Sequence, residues 1–221
     1  MAEYFTDVEL DTSNPEPRCP CVLLLDTSGS MGGAPINELN AGLVAFREAL
    51  GKDELALLRV EIAVVTFGDH AELVQGFVTA NQFFPPTLSA SGQTPLGAGM
   101  NLALDLIEQR KMAYKANGLR YFRPWVFLVT DGEPTDGELW KGAALRAQAA
   151  ESNKKVAFFA VGVGGANMAT LGQITLRPPI HLNGLNFREM FTWLSSSMSG
   201  ASRAVADAVV PLQTPLGWGS L

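Results

Sequence analysis

The sequence predicts an α/β fold: a mostly parallel central sheet of about six strands, one antiparallel edge strand, and helices on both faces. Three observations predict it. Apolar runs at 21–26, 60–67, 125–131 and 155–163 are short, and several are rich in β-branched residues. Long amphipathic stretches separate them, the alternation that builds parallel sheets covered on both sides. Two of the runs, Val22-Leu23-Leu24-Leu25-Asp26 and Leu128-Val129-Thr130-Asp131, stop at an aspartate. In such sheets, ligands bind outside the carboxyl ends of the strands.

The elements follow in order. Residues 1–18 are polar, with Pro15 and Pro17, and read as a tail or edge segment. Residues 19–205 read as one domain. After the strand at 21–26, Ala34-Pro35 opens a helix with Pro at a position that needs no N–H. Ile36, Leu39, Leu43, Phe46 and Leu50 share its inner face, and Gly51 ends it. A short helical turn fits 54–58. The strand 60–67 turns at Gly68-Asp69 and returns as an antiparallel edge strand over 72–78. Pro85, Pro86 and Gly92 make 81–93 a loop, and Thr94-Pro95 starts a second long helix that ends near Asn117-Gly118. A third helix is expected at 138–152, a short one near 167–172, and a short strand near 180–182. Asn186 caps a last helix whose inner face carries Phe187, Met190, Phe191, Leu194 and Met198. Residues 206–221, with Pro211, Pro215, Gly217 and Gly219, read as a C-terminal tail.

Composition narrows the function. The chain has 221 residues, 47% of them hydrophobic and 17% charged, enough to bury a real core. A net charge of −6 argues against a nucleic-acid partner. No apolar run approaches the ~18 residues of a membrane span. The acidic N-terminal residues lack the basic and apolar regions of a secretory signal. Cys19 and Cys21, two apart, are poorly placed to bridge each other and make no zinc site. A cytoplasmic protein with free thiols is expected.

The chemistry gathers at the strand ends. Asp26, Ser28 and Ser30 occupy i, i+2 and i+4 of a compact Ser/Gly loop, and Thr94 and Asp131 lie at a helix start and a second strand end. All five offer hard oxygens, which suit Mg²⁺, Mn²⁺ or Ca²⁺. Each has a plainer reading: Thr94 as a helix cap, the serines as turn residues, an Asp as a cap. Glu133 and Asp136 nearby read as solvated loop acids. The pattern Asp26-x-Ser28-x-Ser30, Thr94, and Asp131 in Thr-Asp-Gly resembles the metal-ion-dependent adhesion site (MIDAS) of von Willebrand factor A (VWA) domains, over residues 20–203. The resemblance implies a three-layer, Rossmann-like VWA fold and a Mg²⁺-like ion held by Ser28, Ser30 and Thr94. It places Asp26 and Asp131 partly behind water. It also implies a protein partner whose Glu or Asp completes the metal shell.

A narrower resemblance rests on Leu-Leu-Leu-Asp-Thr-Ser-Gly-Ser-Met, Ser-Gly-Gln-Thr-Pro-Leu-Gly and Leu-Val-Thr-Asp-Gly-Glu-Pro-Thr-Asp. These segments are similar to bacterial TerY-type proteins of tellurium-resistance systems. That implies a stress-response component whose partners include a kinase and a phosphatase of the same operon. Enzyme readings fare worse. Ser28 stands where a dehalogenase-type phosphatase needs its second Asp, and no Gly-x-Ser-x-Gly elbow or P-loop is present. A non-enzymatic binding module is expected; the alternative is a Mg²⁺-dependent hydrolase or phosphotransferase using the same carboxylates.

Overall fold

The computed structural model describes residues 10–203 and 217–220. Seven strands form one sheet in the order β3-β2-β1-β4-β5-β6-β7. They are β1 (Cys19–Asp26), β2 (Val60–Phe67), β3 (Ala71–Thr79), β4 (Trp125–Thr130), β5 (Ala157–Gly162), β6 (Ile180–Leu182) and β7 (Gly219–Ser220). The helices are α1 (Ala34–Leu50), α2 (Glu54–Arg59), α3 (Leu96–Ala116), α4 (Leu139–Ser152), α5 (Met168–Gly172) and α6 (Phe187–Arg203). The predicted α/β class is the observed one. The pairs β2–β1, β1–β4, β4–β5 and β5–β6 are parallel, and β3 is antiparallel at the edge beside β2, as predicted.

Two expectations differ from the structure. The sheet has a seventh strand, because Gly219–Ser220 runs antiparallel to His181–Leu182. That small strand is joined to the fold by Trp218, which is buried and packs at a tilt against Trp193 of α6 with ring centroids 5.1 Å apart. The described part of the expected C-terminal tail therefore lies on the sheet; residues 206–216 and 221 lie outside the described residues. At the other end, Arg18 is fully buried and its backbone pairs with Arg120 and Phe122, which ties the segment before β1 to the domain.

Every residue of β1, β2, β4 and β5 is buried, which is why they read as largely apolar runs. Alternation survives in where they point. Cys19, Cys21, Leu23 and Leu25 join a core with α1 and α6, while Val22 and Leu24 join a second core with α3 and α4. The sheet is thus the middle of three layers.

Close backbone approach sets two helix contacts. A Cβ on Gly42 of α1 would stand 2.7 Å from the Phe191 ring of α6. A Cβ on Gly97 of α3 would stand 2.4 Å from the Trp140 backbone nitrogen of α4. Backbone cannot swing aside as a side-chain tip can. Gly97→Ala gains about 1 kcal/mol of helix propensity but over-packs a rigid contact, at a cost of about 3 kcal/mol. A net loss of about 2 kcal/mol is expected, lowering the melting temperature by roughly 4–8 °C. In α4, Gly142 has nothing within 4 Å of its would-be Cβ. Gly142→Ala is expected to raise stability by about 1 kcal/mol. Thermal melts of both variants check the pair; a Gly97→Ala protein as stable as Gly142→Ala contradicts the packing account.

Candidate metal centre

Asp26 is the last residue of β1, at the carboxyl end of an inner strand, and it is wholly buried. Its Oδ1 accepts the Ser28 backbone N–H at 2.8 Å, and its Oδ2 accepts the Thr130 hydroxyl. Burial pushes the carboxyl's pKa above its usual 3.8; hydrogen bonds from Ser28 and Thr130 oppose that, and the nearby charge of Asp131 adds to it. Among the described residues no cationic side chain is bonded to this buried carboxylate, the arrangement a metal ion relieves.

The serines stand beside it. Ser28 is extended, and Ser30 lies in the single 3₁₀ turn Gly29–Met31. Their hydroxyl oxygens are 3.0 Å apart, and Ser30 Oγ donates to Asp131 Oδ1 at 2.7 Å. Thr94 closes the group from the other side. A Cβ built on Gly132 would sit 2.9 Å from Thr94 Oγ1 and 3.7 Å from Asp26 Oδ2, so glycine there keeps the hollow open. The structure brings all five predicted residues together at one end of the sheet.

Backbone hydrogen bonds lock the three segments to one another. The Gly29 N–H donates to the Gly92 carbonyl at 3.0 Å, the Ser91 N–H to the Thr27 carbonyl at 2.8 Å, and the Thr27 N–H to the Phe67 carbonyl at 2.9 Å. Between β4 and α4, the Thr135 N–H donates to the Thr94 carbonyl at 2.9 Å, and the Thr94 N–H donates to Thr135 Oγ1 at 3.0 Å.

Two plainer readings of these residues change. Thr94 does not cap α3: the helix begins at Leu96, and the side chain that accepts from its first turn is Asp136, whose Oδ2 takes the Ala98 N–H at 3.0 Å. The Thr94 hydroxyl is thereby released from capping. Asp136, expected to be a solvated loop acid, is instead half-buried with Oδ1 inaccessible and unbonded. Sequence reasoning missed Asp136 and Thr135 because each acts on an element about 40 residues away. Glu133 is exposed and accepts from the Thr170 hydroxyl at 3.1 Å, as a surface acid does.

Among the described residues, no three His, Cys, Asp or Glu side chains gather as a metal cluster. The five-residue set has only two carboxylates; its other donors are hydroxyls. A hollow of about 260 Å³ adjoins it, lined by Thr27, Asp69 and Ser91 among others. A larger cleft of about 710 Å³ lies elsewhere, between the Asp11–Ser13 segment and β3, and contains none of the five.

The von Willebrand factor type A domain profile matches residues 21–191. The chain belongs to the von Willebrand factor type A family. This VWA domain is therefore one of a family of metal-dependent protein-interaction modules. No curated protein matches the chain. Among solved structures, it is similar to the pilus adhesin SpaC from Lactobacillus rhamnosus GG, with a TM-score of 0.66 at 13% identity over 85% of this chain. It is also similar to proximal thread matrix protein 1 from the mussel byssus, with a TM-score of 0.58 at 16% identity over 84% of this chain. That byssus protein is also known with a zinc-occupied MIDAS motif. The VWA chain spans 31% of the adhesin's length and 49% of the byssus protein's, and the likeness is one of fold.

Proposed function

We propose that this VWA domain binds a protein partner through a divalent cation held by Ser28, Ser30 and Thr94, with Asp26 and Asp131 direct or one water away. One observation carries the reading. Neighbouring oxygens around a six-coordinate ion with ~2.1 Å bonds stand about 3.0 Å apart. The Ser28–Ser30 oxygens, at 3.0 Å, have that spacing, and the Ser30–Asp131 oxygens, at 2.7 Å, are within 0.3 Å of it. The donor set is all oxygen, which suits Mg²⁺, Mn²⁺ or Ca²⁺. The zinc-occupied site of the byssus protein supports a divalent ion on this fold.

When bound, the ion supplies an electrophilic coordination position for a partner's Glu or Asp. This chain's residues set how strongly. Three of the five donors are neutral hydroxyls, so little of the ion's charge is quenched from within. The reading is non-enzymatic: the hydroxyls of Ser28 and Ser30 bond to each other and to Asp131, and among the described residues no His or Lys is bonded to either to activate it as a nucleophile.

The TerY-like motifs support a finer proposal: a cytoplasmic component of a tellurium-resistance or stress-response system, with a kinase and a phosphatase as partners. Direct thiol chemistry with tellurite has no support in the site. Cys19 and Cys21 are free and fully buried, and burial, with the charge of Glu61, pushes the Cys19 thiol up to about 12.

Calorimetry with Mg²⁺ and Mn²⁺, followed by capture of the operon's kinase and phosphatase with and without EDTA, tests the proposal. Thr94→Ala is expected to weaken both ion and partner binding. Because Asp136 caps α3, the substitution is expected to cost the fold about 1 kcal/mol or less. Partners recovered equally with Mg²⁺, with EDTA and with Thr94→Ala would refute the metal bridge.

A further inference from the structure

We propose that Thr135 is a positioning residue for Thr94, and that it joins Thr94 and Asp131 into one rigid half of the metal site. The inference rests on the metal reading above. Thr94 and Asp131 come from different segments, one before α3 and one after β4. Nothing in the covalent chain holds them in register. Thr135 does so by a reciprocal pair of hydrogen bonds: its N–H to the Thr94 carbonyl, and its hydroxyl from the Thr94 N–H.

Two neighbouring features make the joint stiff. Asp136 caps α3 from the same loop through the Ala98 N–H. Gly97 lets the α4 backbone at Leu139 and Trp140 lie directly on α3, with would-be Cβ contacts of 2.4–2.6 Å. The segment from Asp131 to Trp140 is therefore fastened at three points: Thr135 to Thr94, Asp136 to the Ala98 N–H, and the start of α4 to Gly97. Of these, only Thr135 reaches the backbone of a proposed ligand, and its hydroxyl is the part a substitution can remove. Thr135 is itself exposed, so its side chain has no packing duty that would explain its placement. Thr94 is buried, so its N–H needs an acceptor from the protein.

Removing that acceptor lets Thr94 shift while the core stays intact. Ligand-orienting residues of this kind change metal affinity by about 10–100-fold. Thr135→Val keeps the shape and deletes the hydroxyl; Thr135→Ser restores it. The experiment measures Mg²⁺ and Mn²⁺ affinity by calorimetry on the full chain, and Thr94 amide exchange in EDTA. Thr135→Val is expected to bind about tenfold more weakly and to exchange the Thr94 amide faster, with both restored in Thr135→Ser. Wild-type affinity in Thr135→Val overturns the proposal, as does a Thr135→Ser as weak as Val. If the wild type binds neither ion, the metal reading fails. The amide exchange then decides the clamp alone: unchanged exchange in Thr135→Val overturns it, and faster exchange restored by Ser upholds it.

Discussion

Asp26→Asn is expected to weaken divalent-cation binding by on the order of 100-fold, while leaving the metal-free protein at least as stable as wild type. The two effects have one origin. Asp26 is buried at the end of β1, and burial raises its pKa above 3.8. The folded protein therefore holds this proton more tightly than the unfolded chain does. The resulting stability is complete below 3.8 and is lost as pH rises through the folded value. At neutral pH the bare carboxylate is a cost, which a bound cation offsets. Asn keeps an acceptor for the Ser28 N–H and presents its amide to the Thr130 hydroxyl, so the polar contacts survive without the charge. Melts in EDTA across this pH range should show wild type falling toward or below Asp26→Asn as pH rises. Saturating Mg²⁺ should reverse the order at neutral pH by stabilising wild type alone. Equal Mg²⁺ affinity in the two proteins would place the site elsewhere.

The largest loss of stability is expected at Glu61. This residue sits inside the apolar run of β2 and is almost fully buried. Its Oε1 lies 3.1 Å from Arg18 Nε, and its Oε2 lies 2.7 Å from Arg110 Nη2 and 2.5 Å from the Tyr114 hydroxyl. Glu61→Gln keeps the shape and removes the charge that both arginines share. Breaking a buried ion pair costs about 3–5 kcal/mol, because the desolvated partners keep their charge. For a chain of this size that lowers the melting temperature by roughly 6–20 °C. Arg18 also donates through Nη2 to the carbonyls of Asp11 at 2.7 Å and Asn14 at 2.8 Å, so the segment ahead of β1 should become easier to cleave. A Glu61→Gln protein that melts within 3 °C of wild type, by the same ~2–4 °C per kcal/mol scaling, would show that the network adds little to stability.

Glu61 also marks where reading the sequence stopped. The strands were legible because a strand buried on both faces is mostly apolar along its length, and four of them are buried throughout. The convergence of Asp26, Thr94 and Asp131 was legible because strand ends on a parallel sheet share one side. Glu61 was hidden by the same rule: one charge in an apolar run shows no partner, and its partners lie 43, 49 and 53 residues away. Asp136 and Thr135 were hidden because a cap or clamp supplied by another loop leaves no local pattern. Strand β7 is two residues long, too short for any period, and exists through its pairing with β6.

The shape of the sheet's margins has a consequence for self-association. Four apolar strands side by side form the kind of segment that, if exposed, stacks on copies of itself. An open edge is where such stacking begins. Here the β2–β3 ladder slips register twice, between Ile62 and Val64 and again between Val64 and Val65. A bulged, more strongly twisted strand offers a poor template to an incoming chain. At the opposite margin, the pairing ends after His181–Ser220 and Leu182–Gly219. The four inner strands are thus bordered by one edge too irregular and one too short to extend the sheet from molecule to molecule. Strand addition is disfavoured on both sides.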